Sequence, residues 1–158
     1  MVATNDATVS SMPALTAHEL AAWRGTLQVH AQVTQALDAQ MRSEHGIAVS
    51  SYEVLMFLAD APDHRLRMGE IADRVLLSRS GLTRLVDRLV ALGYVTRCAA
   101  PDDGRGAFAE LTDAGREKLQ AARRTHLEGV RRFFLERLNV SDQLALGDIW
   151  TRFLATGS

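Results

Sequence analysis

Residues 78–112 decide the fold of this chain, and they read SRSGLTRLVDRLVALGYVTRCAAPDDGRGAFAELT. The first part of this stretch predicts a helix, because its apolar residues recur at steps of three and four, the spacing of one buried helix face. These residues are Leu82, Leu85, Val86, Leu89 and Leu92. Ser78 or Ser80 can cap the start of the helix, and Gly93 marks its end.

After Gly93 the pattern changes from a helical period to one that is typical of strands. Residues 94–98 are rich in β-branched and aromatic side chains, and residues 102–106 form a turn with two glycines. Residues 107–111 alternate apolar with small or polar side chains. A strand, a glycine-rich turn and a second strand predict a β-hairpin.

Helices are also predicted on both sides of this stretch. The first opens at Thr16, where Glu19 can close a capping box, and it ends before Gly46. A second capping box at residues 50–53 starts a short helix that ends at residues 62–63, and residues 68–76 form a third helix. After the hairpin, Thr112 caps a helix that extends to the region of Leu138, and Ser141 caps the last helix.

Two short helices followed by a hairpin predict a mostly α fold with a small β-hairpin wing, a winged helix-turn-helix with long N- and C-terminal dimerisation helices. The first helix is longer than a compact domain needs for itself, so its apolar stripe is expected to contact a second subunit. We divide this one domain into a disordered leader at residues 1–14, an N-terminal dimerisation helix at 15–47, a winged helix-turn-helix lobe at 48–112 and C-terminal dimerisation helices at 113–158.

The composition excludes several classes of protein. No run approaches the ~18 to 20 apolar residues that a membrane span needs, and the N-terminal residues lack the pattern of a signal peptide. Cys98 is the only cysteine, which excludes an internal disulfide and fits a reducing cytoplasm. No phosphate-binding loop, nucleophile elbow or metal-ligand pair occurs, so no enzyme, metal site or cofactor is predicted.

Basic residues are concentrated in the middle of the chain, although the net charge is −1. From His64 to Arg105, eight arginines stand against five acidic residues. A phosphate backbone responds to local potential rather than to net charge, so this basic segment is compatible with binding to double-stranded DNA.

Two surfaces within the basic segment predict DNA contacts. The outward side of the helix carries Ser78, Arg79, Ser80, Thr83, Arg84 and Arg88, together with Asp87. The major groove is ~12 Å wide and admits one helix, whose hydroxyl and guanidinium groups can bind base edges and phosphates. At the hairpin tip, the Asp103 carboxylate can bind the Arg105 guanidinium and orient it for insertion into a minor groove. Taken alone, the first surface could equally be a solvated helix face and the second an ordinary turn.

These motifs resemble the MarR family (multiple antibiotic resistance regulators) over nearly the whole chain. DGRGAFAELT at residues 103–112 is similar to the wing signature D-x-R-G-x(5)-T, and residues 78–89 are similar to the recognition helix. The resemblance implies a triangular homodimer, recognition helices in successive major grooves of an inverted repeat, and Arg105 in the flanking minor groove. Ala107 and Phe108 follow the tip directly, where the family often has a polar or basic residue, which implies fewer phosphate contacts by the wing.

The resemblance also implies a repressor that a small aromatic or phenolic effector releases from DNA. Trp23, Arg24, His30 and Tyr52 are the candidate ligand-binding residues, since an aromatic wall with a basic group suits an anionic aromatic molecule. Alternatively, Trp23 belongs to a dimer core and Arg24 is a surface charge.

Two other functions stay open on the sequence alone. One is a redox-sensing regulator that uses the Cys98 thiol beside Arg97. The other is a winged-helix protein-interaction module that does not bind DNA, although such a module would not need the arginines of the recognition helix.

Overall fold

The computed structural model describes residues 14–75, 77–99 and 107–155 of the chain. The helices within these residues are α1 (Ala17–His45), α2 (Val49–Asp60), α3 (Met68–Arg74), α4 (Arg79–Ala91), α5 (Asp113–Phe133) and α6 (Val140–Ala155). The strands are β1 (Arg65–Arg67), β2 (Val95–Ala99) and β3 (Ala107–Leu111), and short 3-10 helices occupy Pro62–His64 and Leu135–Arg137. The predicted fold class, mostly α with a small β-hairpin, is confirmed.

The chain forms two compact units, one that extends through Gln32 and one that begins at Val33. In the first unit the predicted capping box is present, because the Thr16 amide donates to Glu19 Oε2 at 2.7 Å and the Glu19 amide donates to Thr16 Oγ1 at 3.4 Å. No helix within the described residues is long and apolar enough to cross a membrane.

The core of the second unit is built around the inward face of α4. Leu82, Leu85, Val86 and Leu89 are almost completely buried and pack against apolar residues of α2 and α3, such as Leu55 of α2. The prediction for Leu92 was wrong: α4 ends at Ala91, and Leu92 is the C-cap residue with 54% of its surface exposed.

The sheet has the order β1–β3–β2, with both pairings antiparallel. The hairpin of β2 and β3 was predicted, whereas β1 was not. The three residues of β1 pair with Phe108, Ala109 and Glu110 of β3, so a partner that is distant in sequence stabilises them.

Two of the predicted helix caps were wrong. The capping box at residues 50–53 is replaced by a start at Val49, whose amide donates to Asp38 Oδ1 of α1 at 3.0 Å. Asn139 rather than Ser141 caps α6, since Asn139 and Asp142 exchange amide-to-carbonyl and amide-to-carboxylate bonds of 2.9 and 3.0 Å. In both cases a side chain other than the predicted one binds a free amide group at the start of the helix.

The connection from the hairpin to α5 is tight. The Thr112 side chain accepts a bond from the Gly115 amide at 3.0 Å and donates to the Gly93 carbonyl at 2.7 Å. Thr112 therefore caps α5 as predicted and also fastens the start of α5 to the end of α4. The predicted end of this helix near Leu138 was wrong, since α5 stops at Phe133 and the 3-10 helix follows.

Candidate nucleic-acid interface

The start of α4 is organised by Ser78. Its Oγ accepts a bond from the Gly81 amide at 3.1 Å and lies 3.3 Å from Ser80 Oγ. The two hydroxyl groups therefore lie together at the helix N-terminus, where amide groups and the helix dipole favour an anion such as phosphate.

The outward side of α4 carries every residue that the sequence predicted there. Ser78, Arg79, Ser80, Thr83, Arg84, Asp87 and Arg88 are all exposed, and they lie opposite the buried leucines. Thr83 Oγ1 donates to the Arg79 carbonyl at 2.9 Å, which leaves its lone pairs for a donor from outside. Arg84 Nε lies 3.4 Å from the Ser80 carbonyl, so the Arg84 side chain lies along the helix toward its N-terminus.

Arg97 of β2 contacts this outward surface, which the sequence did not predict. Its Nη2 lies 2.9 Å from Asp87 Oδ1 and donates to the Thr83 carbonyl at 3.3 Å. The sequence indicated Arg97 only as a neighbour of Cys98. Residues 95 and 97 of a strand lie on the same face of the sheet, and this alternation was the available signal for the orientation of Arg97. The alternation does not indicate that α4 packs on that face.

A cleft of about 520 Å³ lies between α4 and the β1–α3 segment, and the first residue of β3 also lines it. It is lined by Arg67, Met68, Gly69, Glu70, Asp73, Arg79, Leu82, Thr83 and Ala107. The recognition-helix candidate and the hairpin therefore border one concave surface, with acidic as well as basic side chains along it.

The outer face of the sheet adds two arginines that the sequence did not assign to a site. The guanidinium groups of Arg65 and Arg67 lie 5.5 and 5.1 Å from the centre of the Phe108 ring, at cation–π distance. Phe108, which was noted as a departure from the wing pattern, thus holds basic side chains of β1 beside the hairpin.

The predicted wing residues Asp103 and Arg105 lie outside the described residues. The described strands pair from Val95 with Leu111 to Ala99 with Ala107. The predicted pairing of the two hairpin strands is therefore present, whereas the turn at residues 102–106 and the contacts of Asp103 and Arg105 stay predictions.

The candidate ligand-binding residues fall into both units. In the first unit, Trp23, Arg24 and His30 are exposed on α1, and Trp23 has 58% of its surface exposed. In the second unit, Tyr52 is buried and stacks on His126 of α5 with ring centres 4.4 Å apart. The ligand site stays a prediction.

His126 is a residue that the sequence analysis missed. Its Nδ1 is buried and has no hydrogen-bond partner among the described residues. Burial lowers the pKa of the His126 imidazole, because the charged ring is disfavoured away from water, and burial raises the pKa of the Tyr52 phenol for the same reason. Both rings are therefore neutral in the α2–α5 contact at neutral pH.

Cys98 is half-buried on the outer face of the sheet. Its thiol donates to Glu110 Oε2 at 3.5 Å. The predicted basic neighbour, Arg97, precedes Cys98 in β2, lies on the opposite face of the sheet and bonds Asp87 instead. The Arg97 guanidinium therefore bonds Asp87 and not the thiol, and the redox-sensing function of Cys98 stays a prediction.

Comparisons with known proteins agree with this arrangement. Residues 45–106 match the family model described as MarR family. The transcriptional repressor YetL of Bacillus subtilis (strain 168) is 36% identical over 75 residues, 48% of this chain and 45% of YetL. The transcriptional regulator PrsX of Escherichia coli is 31% identical over 106 residues, 67% of this chain and 54% of PrsX. The chain thus spans about half the length of these curated relatives.

The similarity to solved structures extends further along the chain. Sco3205 of Streptomyces coelicolor, a MarR family transcriptional regulator solved in complex with DNA, is 36% identical with a TM-score of 0.84. The match covers 94% of this chain and 92% of Sco3205. AbsC, a MarR family regulator from the same species, is 29% identical with a TM-score of 0.82, over 92% of this chain and 97% of AbsC. With this identity across nearly the whole of both chains, the protein belongs to the MarR family of transcriptional regulators.

Proposed function

We propose that this protein is a sequence-specific DNA-binding transcription regulator that represses genes from an inverted-repeat operator. One observation carries the proposal: the outward side of α4 presents Arg79, Thr83, Arg84 and Arg88 to solvent around a Ser78-capped N-terminus. A braced helix with this chemistry fits the major groove, where arginine reads guanine and hydroxyls bind phosphate or base edges.

The relatives support this function. Sco3205, which has the same fold and is 36% identical in sequence to this chain, was solved in complex with DNA. YetL is a transcriptional repressor. In the proposed complex Ser78, Ser80 and Arg79 bind phosphates at the helix start, Arg84 and Arg88 face the bases and the adjacent backbone, and Arg105 with Asp103 occupies the minor groove.

The regulator acts as a homodimer in this proposal. Large apolar side chains on α6 are exposed to solvent: Val140, Leu144, Ile149, Trp150, Phe153 and Leu154. In the first unit, Leu27 of α1 is exposed as well. Such an amount of exposed apolar surface favours a contact with a second copy, and a two-fold dimer requires a two-fold DNA site.

An aromatic or phenolic effector is proposed to release the DNA. Trp23, Arg24, His30 and Tyr52 remain the residues proposed to bind it. A screen of phenolic and aromatic carboxylate compounds for release of bound DNA tests this part without affecting the rest of the proposal.

Selection of binding sites from a random duplex library with the purified full chain tests the central proposal. We expect an enriched inverted repeat whose half-sites lie about one helical turn apart. Arg105→Ala should weaken binding to it and flatten the salt dependence, because one groove or phosphate contact is lost. A library without any enriched sequence would overturn the assignment.

A further inference from the structure

We infer that Arg97 and Asp87 form a clamp that sets the orientation of α4 against the wing sheet and thereby determines DNA sequence specificity. The inference rests on the proposed function, since it concerns how the recognition helix is held when it reads bases. Arg97 is a positioning residue, which acts through α4.

The geometry of Arg97 fixes α4 in two respects. Arg97 lies in the middle of β2 on the face that also carries the buried Val95, and it pairs with the buried Ala109, so its side chain leaves the sheet toward α4. Its Nη2 meets the Thr83 carbonyl and the Asp87 carboxylate, which lie four residues and about one helical turn apart. Attachment at both points resists sliding of the helix along its axis and rotation about it.

The ion pair between Arg97 and Asp87 contributes little to folding stability. The side chains of Arg97 and Asp87 are 37% and 56% exposed, and exposed ion pairs contribute little to the free energy of unfolding. The pair does not increase the affinity for DNA either. The Asp87 carboxylate beside Arg84 and Arg88 repels phosphates, and Arg97 is bound to Asp87 instead of to DNA. Base recognition, in contrast, requires side chains held within about 0.5 Å of their productive positions.

The test compares two duplexes: the sequence that the wild-type chain enriches from a random library and a shuffled duplex of the same composition. The ratio of their dissociation constants measures specificity. For Arg97→Gln and for Asp87→Asn we expect this ratio to fall about tenfold, the discrimination of one well-formed base contact. Asp87→Asn should at the same time bind the shuffled duplex more tightly, because a negative charge is removed and Arg97 is released.

The double variant D87N/R97Q separates positioning from charge. It has the net charge of the wild type but lacks the ion pair. If only charge matters, the two substitutions cancel and the wild-type specificity ratio returns, which would overturn the inference. We expect the specificity ratio to stay low in the double variant. In the single variant Asp87→Glu, which keeps the carboxylate, the ratio should be close to that of the wild type.

A matched control is the Arg124–Glu128 pair on α5, whose Nε and Oε1 atoms lie 2.7 Å apart and whose side chains are also exposed. The double variant R124Q/E128Q should keep the wild-type specificity ratio. Melting temperatures of both double variants should be similar, whereas a much lower value for D87N/R97Q would indicate a structural role and contradict the clamp. Absence of any enriched sequence for the wild type would instead overturn the proposed function itself.

Discussion

Gly115 is the position where the first turn of α5 comes closest to the beginning of the hairpin. A Cβ atom at this residue would overlap the Tyr94 carbonyl oxygen and lie 2.8 Å from Leu111 Cδ1. The obstructing oxygen belongs to the backbone, so it cannot move without the strand. We expect Gly115→Ala to lower the free energy of unfolding by about 1–3 kcal/mol, the range for overpacked sites, as measured by urea denaturation.

Gly69 of α3 is the control for this substitution. A Cβ atom there has no neighbour within 4 Å, and alanine favours helix more than glycine does. Gly69→Ala is therefore expected to leave stability unchanged or to raise it. Equal effects of the two substitutions would show that the Tyr94 contact is not limiting.

His126 gives the fold a dependence on pH with a defined sign. Burial lowers its pKa below the ordinary 6.5, so the unfolded chain takes up the proton more readily than the folded chain does. The neutral ring's contribution is fully present above pH 6.5 and is lost as the pH falls below that value toward the lowered pKa. We expect the wild type to melt at a lower temperature at about pH 5.5 than at about pH 7.5.

His126→Gln removes the titrating ring and should make the difference between these two melting temperatures smaller. Because Tyr52 loses its stacking partner, the variant is also expected to be less stable at neutral pH. An unchanged pH difference in the variant would assign the effect to another group.

At the scale of elements, α4 is the helix whose exposed side carries the proposed DNA contacts. Arg84 lies in the middle of that side, one turn from Ser80. We expect Arg84→Ala to weaken binding to the selected duplex by about 1–3 kcal/mol and to relax base preference at one position, as measured by repeated site selection. Arg124→Ala on α5 is the control and should change neither quantity.

A uniform loss of affinity across all sequences would assign Arg84 to a phosphate instead of a base. Unchanged affinity would mean that the outward side of α4 is only a solvated surface.

Elements with a local signal were predictable from the sequence. The apolar spacing at residues 82, 85, 86 and 89 and the Thr112 cap are both present in the structure. The features that were missed depend on distant partners. The strand β1 exists because β3 pairs with it, and the predicted helix α2 begins at Val49 because Asp38 of α1 binds its amide. Capping rules applied to neighbouring residues cannot include a partner from another helix.

The same distinction applies to the candidate site. The exposed residues of α4 follow from helical periodicity, since one face is buried and the opposite face must be solvated. The Arg97–Asp87 contact joins a strand to a helix, and its existence depends on how the sheet docks on α4. Its two residues were visible in the sequence, but their proximity was not.

For the whole molecule, the central question is what covers the apolar side chains of α6. None of the residues of α6 is buried within the single chain, although Trp150 and Phe153 form an edge-to-face ring contact. Phe153 and Leu154 have 70% and 72% of their surfaces exposed. Burying such residues against a second copy would gain on the order of 25 cal/mol for each Å² of apolar surface.

We therefore expect the wild type to sediment as a dimer at micromolar concentration and the double variant F153S/L154S to sediment as a monomer. Leu92→Ser is the control, because Leu92 is an exposed leucine with 54% of its surface accessible at the end of α4. It should remain dimeric.

The monomeric variant keeps its recognition helix, so its affinity for an inverted repeat should fall to that for a single half-site, because the second half-site no longer binds as part of the same molecule. A wild type that sediments as a monomer, or a serine variant that still binds both half-sites together, would place the subunit contact elsewhere or remove it from the proposal.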